Sequence, residues 1–367
     1  MKVDAHYYAI LAFSRACGFR KEHAWDIAYA SQFVDDAKIN HIVIHEVPEN
    51  DVRSHLRTID SKPCFFDMAT CHSYRKIETF NYSSMIRNTA AFHFIPGCKG
   101  EHFVKRMRCK KNGIIIRNLL GKVIERGDLI ELGIALHVFA DTYSHQGFSG
   151  LLSKVNNIKD LEIEDGSGRI LDKIPKVIRW AKDKVYMIFD KIIPAYGHGQ
   201  ALSFPDLPYL AWSYSYDASD EFSDKDESSD KIDNKKRFRE AFNEIEKILK
   251  KFAERHPEYT EETRSVFDMD RLFKALIVKK SDRGRIKHWI HTMTHMGLFH
   301  EDDPMLTYDG HAWLREAFSN FDRKKFSDRK VEDAKLADRF ETSKWFGYYK
   351  AVQWYKAAFF ACCEDIG

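Results

Sequence analysis

The chain has 367 residues and a mass of 43.0 kDa, and 44% of its residues are hydrophobic and 31% are charged. This composition excludes a disulfide-rich miniprotein, a collagen-like fibre and a wholly disordered chain. The 58 Lys and Arg residues nearly balance the 55 Asp and Glu residues, and a net charge of +3 is too small to attract the whole molecule to nucleic acid or to an anionic membrane. Histidine is abundant, with 17 copies.

The predicted helices of the first half of the chain begin close to the N-terminus. Two short amphipathic helices are predicted at residues 7–17, before Gly18, and at residues 22–33. Residues 41–45 resemble a strand, and prolines interrupt the stretch that continues to about residue 87, which we interpret as an irregular or β-hairpin insertion. The strongest helical periodicity covers residues 118–144 and predicts the central helix of the core.

The second half of the chain is divided by an acidic segment. A helix is predicted at residues 174–193, followed by an aromatic loop at 196–216. Residues 217–236 are rich in acids and serine and predict a flexible linker or loop. The remainder, 237–367, is predicted to be mostly helical and to pack on the core.

The predicted fold class is therefore mainly α. We expect a helical bundle in residues 1–216 around a polynuclear metal site, with the small insertion described above and a helical C-terminal extension. The first six residues, MKVDAH, lack the apolar core of a signal peptide, and Glu131 interrupts the most apolar stretch, so neither export nor a transmembrane segment is expected. The seven irregularly spaced cysteines are typical of reduced thiols, and we expect a cytoplasmic protein.

The central helix carries the first candidate site. His137, Asp141 and His145 follow one another at intervals of four residues, which places all three on one helical face. Buried His and Asp side chains must be hydrogen-bonded, paired or bound to a metal. The alternative is a structural His–Asp pair at a frayed, exposed helix end.

Further candidates lie on both sides of this helix. If the first two helices are antiparallel, Asp4 and His6 come close to Asp35 or Asp36, although capping would also explain these acids. His93 lies alone in an apolar run, where a histidine is more often a core residue. His198 lies between two glycines, with Asp206 shortly downstream.

The order of these residues resembles that of the trinuclear zinc phospholipase C and S1/P1 nuclease superfamily, which consists of all-helical metal phosphodiesterases. The segments DxHYY, SQFVDD, HxxxDxxxHQGF and GHGQ are also similar to an uncharacterised bacterial family. The resemblance covers roughly residues 4–217. It implies one zinc held by Asp35 or Asp36 with His93, His137 and Asp141, a second held by His6 and the bridging Asp141, and a third held by His145, His198 and Asp206.

The exported members of that superfamily bind zinc through the amine and carbonyl of their N-terminal residue. Because no export signal is predicted here, we expect Asp4 to replace those ligands. His and carboxylate donors without a thiolate suit two or three Zn²⁺ ions, and also Mn²⁺ or Fe.

The sequence thus predicts a metal-dependent hydrolase of phosphoester bonds. The expected substrate contains phosphate, as nucleic acid or a phospholipid head group does, and Asp35, Asp36 and Asp141 are the candidate catalytic residues. The alternative is a non-catalytic helical interaction protein with a structural metal cluster. The sequence gives no prediction of the oligomeric state.

Overall fold

A computed structural model of the chain describes residues 1–48, 51–71, 81–164, 195–216, 231–262 and 267–364. The helix predicted at residues 174–193 and most of the acidic segment, residues 217–230, lie outside the described residues. The prediction of a mainly α fold is confirmed, with two small sheets in addition.

The chain begins with a helical hairpin. A π-helix, Asp4–Ala9, continues directly into α1, Ile10–Ala16, and the turn at Gly18 has a φ of +98°, which glycine adopts without strain. Helix α2, Lys21–Asp36, then returns along the first helix. Both predicted helices are present, and each is longer than the periodicity indicated.

The central helix predicted at residues 118–144 consists of two helices. Helix α5, Ile114–Arg126, ends at Gly127, whose φ is +74°, and Asp128 then caps α6, Leu129–Ser144, by accepting hydrogen bonds from the amides of Ile130 and Glu131. Two earlier short helices are α3, Tyr82–Ser84, continued by the π-helix Met85–Ala90, and α4, Phe103–Arg106. The single-helix prediction was wrong because the apolar periodicity continues across the Gly-Asp break.

Helix α6 packs closely against α2. A Cβ atom at Gly133 of α6 would lie 2.4 Å from the carbonyl oxygen of Ile27 and 2.6 Å from the Cβ of Ala30, so only glycine permits this approach. The close packing brings the end of α2 beside the polar face of α6.

The insertion forms a four-stranded sheet together with a strand from the C-terminal region. Its order is β2–β3–β1–β7, where β1 and β3 are antiparallel and β1 and β7 are parallel. A second sheet has the order β4–β5–β6. The strands are β1 His41–Ile44, β2 Arg57–Ile59, β3 Lys62–Phe66, β4 Ile158–Glu164, β5 Ala211–Tyr216, β6 Ile232–Asp233 and β7 Lys330–Ala334.

Two expectations for these segments were wrong. The aromatic stretch at residues 196–216, expected to be a loop, ends in strand β5. Its buried residues Trp212, Tyr214 and Tyr216 alternate with small, partly exposed residues, which is the pattern of a strand with one face toward the core. Strand β7 lies in a stretch expected to be helical.

The C-terminal region is mostly helical and packs on the N-terminal half. The Phe13 ring of α1 lies 5.1 Å from that of Phe242 and 5.2 Å from that of Phe273, and burying each such ring contributes about 2 kcal/mol. The helices are α7 Asn234–Arg255, α8 Met269–Leu276, α9 Asp282–His295, α10 Ala312–Ala317 and α11 Lys344–Glu364. Helix α7 thus begins within the segment 217–236 that was predicted to be a linker.

Short 3-10 helices connect these elements, at Asp51–His55, Lys154–Asn156, Gly199–Ala201, Phe204–Asp206, Pro257–Tyr259, Pro304–Leu306, Lys325–Ser327 and Phe340–Thr342. Within the described part of the chain, no helix combines the length and the apolar character needed to cross a bilayer.

Candidate metal centre

The polar face of α6 lies in the interior of the protein. His137, Asp141 and His145 are 0%, 1% and 3% exposed, and their spacing of four residues stacks them along one side of the helix. This burial contradicts the alternative of a frayed, exposed helix end. Three polar side chains in a dry interior require partners that compensate for lost hydration.

The first of three side-chain groups that could hold a metal combines His93, His137 and Asp141. The Nδ1 atom of His93 and the Nε2 atom of His137 each lie 3.3 Å from Asp141 Oδ2, and 3.3 Å from each other. Asp35 Oδ1 lies 3.8 Å from the same His93 nitrogen and 3.9 Å from the same His137 nitrogen. Four donor atoms therefore converge on one point, in the combination that the resemblance implied.

The second group includes a residue of the first helix. His6, Asp35 and His137 form it, and the His6 ring stacks on the His137 ring with centroids 3.8 Å apart. His6 Nε2 lies 3.1 Å from Asp141 Oδ1. Asp141 thus directs Oδ1 toward His6 and Oδ2 toward His93 and His137, which is the arrangement of a carboxylate that bridges two ligand sets.

The third group consists of His145, His198 and Asp206. His145 Nε2 lies 3.4 Å from Asp206 Oδ1, and His198 Nε2 lies 3.9 Å from Asp206 Oδ2. The Phe94 ring stacks on the His145 ring, with centroids 4.6 Å apart, and fixes its plane.

The histidine rings are oriented by backbone carbonyl groups. His93 Nε2 lies 2.9 Å from the oxygen of Thr70, His145 Nδ1 lies 2.7 Å from the oxygen of His93, and His198 Nδ1 lies 2.8 Å from the oxygen of Leu202. Because a carbonyl oxygen only accepts, the nitrogen facing it carries the hydrogen, and the other ring nitrogen of each histidine presents its lone pair to the carboxylates. This pattern is characteristic of histidines that bind metal.

The pKa values of three histidines and of Asp35 are shifted by their surroundings. Burial lowers the pKa of His93 to about 4 and the pKa of His6 and His137 below the usual value, so the three rings are neutral. Burial and the charge of Asp141 raise the pKa of Asp35 well above its usual value. Neutral imidazole is the form in which histidine binds a divalent ion, whereas a carboxylate binds in its charged form, so a bound cation would displace the proton that the raised pKa of Asp35 favours.

Two buried ring nitrogens of the centre, which are not those facing Asp141, are unsatisfied. Among the described residues, Nδ1 of His6 and Nδ1 of His137 have no hydrogen-bond partner. An unsatisfied buried nitrogen costs about 1–3 kcal/mol, which a bound ligand or water can offset. The nitrogen and oxygen donors of the three groups are of the kind that can hold a metal ion.

The structure places Asp4 elsewhere. Its two carboxylate oxygens accept hydrogen bonds from Arg285 of α9, at 2.6 and 3.2 Å, and it belongs to none of the three groups in the described chain. The contacts of Asp4 therefore do not support its expected role as a replacement ligand. Its carboxylate is already neutralised by the buried guanidinium of Arg285.

The amino group of Met1 lies where Asp4 was expected. It is buried, 2.6 Å from Asp141 Oδ1 and 3.2 Å from Asp206 Oδ1. Burial alone would lower its pKa, but the carboxylates of Asp141 and Asp206 outweigh that effect and raise the pKa to about 11. This ammonium group in turn helps to hold the pKa of both carboxylates well below the usual range, against the opposing effect of burial.

The two neighbouring aspartates at the end of α2 have different surroundings. Asp35 faces His93 and His137, whereas Asp36 Oδ2 accepts a hydrogen bond of 2.7 Å from the hydroxyl of Tyr308. The side-chain amide of Gln32 contacts both carboxylates, at 3.5 and 3.4 Å. Asp36 lies outside the three groups identified in the described residues, whereas its chain neighbour Asp35 belongs to one of them.

Comparison with models of protein families finds a match over nearly the whole chain. A model of a family of unknown function, DUF6765, matches residues 1–363. The chain belongs to DUF6765. Neither the curated proteins nor the solved structures contain a significant match to it.

In this DUF6765 member, several groups that contact the metal centre or its neighbours could not be predicted from sequence patterns. The carbonyl of Thr70 and the amine of Met1 are backbone groups, and Arg285 lies 281 residues from Asp4 along the chain. Gln32 belongs to the SQFVDD segment, but its contact with both aspartates depends on the helical geometry. The sequence identified eight of the side chains that the structure brings together, which are His6, Asp35, His93, His137, Asp141, His145, His198 and Asp206.

Proposed function

We propose that this protein is a metal-dependent hydrolase of phosphoester bonds. The observation that carries the proposal is the position of Asp141, whose two oxygens face two different sets of histidines. A carboxylate shared in this way is suited to holding two cations close together, and the third group adjoins it through His145, whose Nδ1 lies 3.5 Å from Asp141 Oδ2.

The residues of the three groups would hold Zn²⁺, or Mn²⁺ or Fe, through nitrogen and oxygen. When bound, such ions lower the pKa of a coordinated water to about 7 and offset the negative charge of a phosphodiester. The chain itself contributes orientation: backbone carbonyls fix the histidine rings, and Gln32 holds the Asp35–Asp36 pair.

Asp36, the aspartate of the pair that belongs to none of the three groups of the described chain, is our candidate for the residue that acts on a water. Tyr308 donates to its Oδ2 and fixes the carboxylate, and its chain neighbour Asp35 faces the histidines. The remaining oxygen, Oδ1, can accept a proton from a water that attacks phosphorus. Asp35 is 29% exposed and Asp206 is 13% exposed, so the centre is open to solvent at its carboxylates.

The competing function is a structural metal cluster in a helical interaction protein. Each histidine of the centre is at most 5% exposed, as in a closed structural site. The partial exposure of Asp35 and Asp206 favours the catalytic function, because substrate and water must reach a catalytic metal, whereas a structural site can be closed.

None of the seven cysteines, all within the described residues, forms a disulfide. From the irregular spacing of the cysteines, which is typical of reduced thiols, we propose a reducing compartment, the cytoplasm, for the protein.

Hydrolysis of bis(p-nitrophenyl) phosphate by the purified, Zn²⁺-loaded protein tests the proposed function. We expect Asp141→Asn to reduce kcat/KM at least about a hundredfold, because the shared carboxylate is lost. Asp270→Asn is the matched control, since Asp270 is 72% exposed and pairs only with surface Arg239 in the described structure. A protein that binds metal but hydrolyses neither phosphodiesters nor phosphomonoesters would support the structural cluster instead.

A further inference from the structure

A peptide group beside the first metal group connects two of the donors that converge there. The carbonyl of Thr70 lies 2.9 Å from His93 Nε2, and the amide of the following residue, Cys71, donates over 3.2 Å to the carbonyl of Ala37. In a trans peptide these two groups point in opposite directions. One planar unit therefore holds the His93 ring on one side and, on the other, the end of α2, which carries Asp35.

The side chain and the amide of Thr70 strengthen the same connection. Thr70 is fully buried, and its Oγ1 donates a hydrogen bond of 2.8 Å to the carbonyl of Val34 in α2. Its own amide donates over 3.1 Å to the carbonyl of Ala37. Val34 and Ala37 stand on either side of Asp35 in the sequence, so Thr70 is fixed to the helix end that presents this carboxylate.

Tyr348 of α11 completes the connection from the C-terminal region. Its hydroxyl lies 3.0 Å from Thr70 Oγ1. Because the single hydroxyl hydrogen of Thr70 is directed to the Val34 carbonyl, Tyr348 is the donor and Thr70 Oγ1 the acceptor. Tyr348 is 3% exposed, and its ring packs edge-on against that of Phe33 in α2, with centroids 4.8 Å apart. A buried hydroxyl has no water to replace a lost partner, so this contact holds Thr70 in one arrangement.

The position of the Thr70 carbonyl sets the rotation of the His93 ring. A carbonyl oxygen only accepts, so His93 carries its hydrogen on Nε2 and directs the lone pair of Nδ1 toward Asp141 Oδ2, 3.3 Å away, and Asp35 Oδ1, 3.8 Å away. Outer groups of this kind orient a histidine ligand and tune the affinity for the metal. A shift of Thr70 would displace both Nδ1 and the Asp35 carboxylate from the point where the donors converge.

The histidines of the third group are oriented by other segments of the chain. His145 faces the carbonyl of His93, and His198 faces that of Leu202, four residues further along the chain. A change at Tyr348 should therefore act on the ion of the first group and leave the third group as it is.

We propose that Tyr348, acting through Thr70, is a positioning residue of the metal centre. It fixes the His93 ring and the helix end that carries Asp35, and so sets how tightly the first group holds its ion. Helix α11, which the sequence predicted only to pack on the core, thereby contributes to the metal centre. The inference rests on the metal binding that the proposed function requires, and not on hydrolysis itself.

Titration of the full-length protein with Co²⁺, after removal of its metal by a chelator, tests this role. Visible absorption reports the ligand geometry of bound Co²⁺, and chelator competition reports its affinity. We expect Tyr348→Phe and Thr70→Val each to bind one Co²⁺ at least about tenfold more weakly than the wild type and to change the absorption of that ion, while the remaining Co²⁺ binds unchanged. Thr70→Ser keeps the hydroxyl and should bind Co²⁺ as the wild type does.

Tyr349→Phe is the matched control. Tyr349 is the next residue of α11, is also 3% exposed, and donates a hydrogen bond of 3.1 Å to a backbone carbonyl, that of His55. Its hydroxyl does not contact Thr70, so this variant should bind Co²⁺ as the wild type does. Thermal melting establishes that each variant is folded, and Tyr348→Phe decides the test if Thr70→Val is not.

The proposal is overturned if Tyr348→Phe binds every Co²⁺ as tightly as the wild type and with the same absorption, or if Tyr349→Phe weakens the same ion equally. Failure of the wild-type protein to bind Co²⁺ overturns it together with the metal centre. Selective weakening in Tyr348→Phe, in a protein that hydrolyses no phosphoester, would refute the proposed function and leave the role of Tyr348 intact. Hydrolysis by a protein whose Tyr348→Phe variant keeps the wild-type affinity would refute the positioning role alone.

Discussion

Asp141 has contacts in two directions, and this distinguishes it from an ordinary buried carboxylate. One oxygen faces His6 and the amine of Met1, and the other faces His93 and His137. Spacing along α6 predicted that His137, Asp141 and His145 share a face. It could not predict which oxygen meets which partner, since that depends on the contacts of α6 with the first helix and with the segment around residue 93.

The pair Asp35 and Asp36 was ambiguous in the sequence, because both lie at the end of the same helix. The structure separates them through long-range contacts: Asp35 meets His93 and His137, and Asp36 meets Tyr308, which is 272 residues away. No local pattern contains that information.

Replacing each aspartate by asparagine should therefore have different effects. We expect Asp35→Asn to weaken Zn²⁺ binding about 10- to 100-fold or more, measured by competition with a chelator, because a charged donor is lost. Asp36→Asn should retain its Zn²⁺ and lower kcat for a phosphodiester. Equal loss of Zn²⁺ in both variants would contradict the separate roles.

The first helix is held in place by a contact between distant elements. Asp4, half a turn before His6, forms a buried ion pair with Arg285 of α9, which is 1% exposed. This pair fixes the end of the helix that carries His6. The sequence predicted the first helix and the antiparallel α2, but it assigned Asp4 to the metal centre because its partner is so far along the chain.

Removal of the guanidinium should destabilise the fold and the centre together. We expect Arg285→Met to lower the free energy of unfolding by about 3–5 kcal/mol in urea denaturation, because Asp4 would be left buried without a counter-charge.

Arg239→Met is the comparison for this prediction. Arg239 is 54% exposed and its partner Asp270 is 72% exposed, so the cost should be below about 1 kcal/mol. If the two arginine variants lost the same stability, the Asp4–Arg285 pair would not anchor the first helix.

At the scale of the whole molecule, helical periodicity predicted the mainly α fold because most helices here bury one face. Periodicity did not predict the break at Gly127–Asp128, because the apolar pattern continues from one helix into the next. It did not predict strand β7 either, because β7 pairs with β1, almost 290 residues away. A cavity next to Asp36 is lined by residues of α2, α11 and the segment around Gly310. No local sequence pattern could predict it, because these elements lie far apart along the chain.

The metal content of the purified protein, measured by inductively coupled plasma mass spectrometry, tests the central claim most directly. We predict two or three transition-metal ions per chain, in keeping with the three groups of the centre, and a loss of at least one in Asp141→Asn. His291→Ala, which removes an exposed histidine of α9, should retain the full content. Less than one ion per chain, unchanged in Asp141→Asn, would contradict the metal centre.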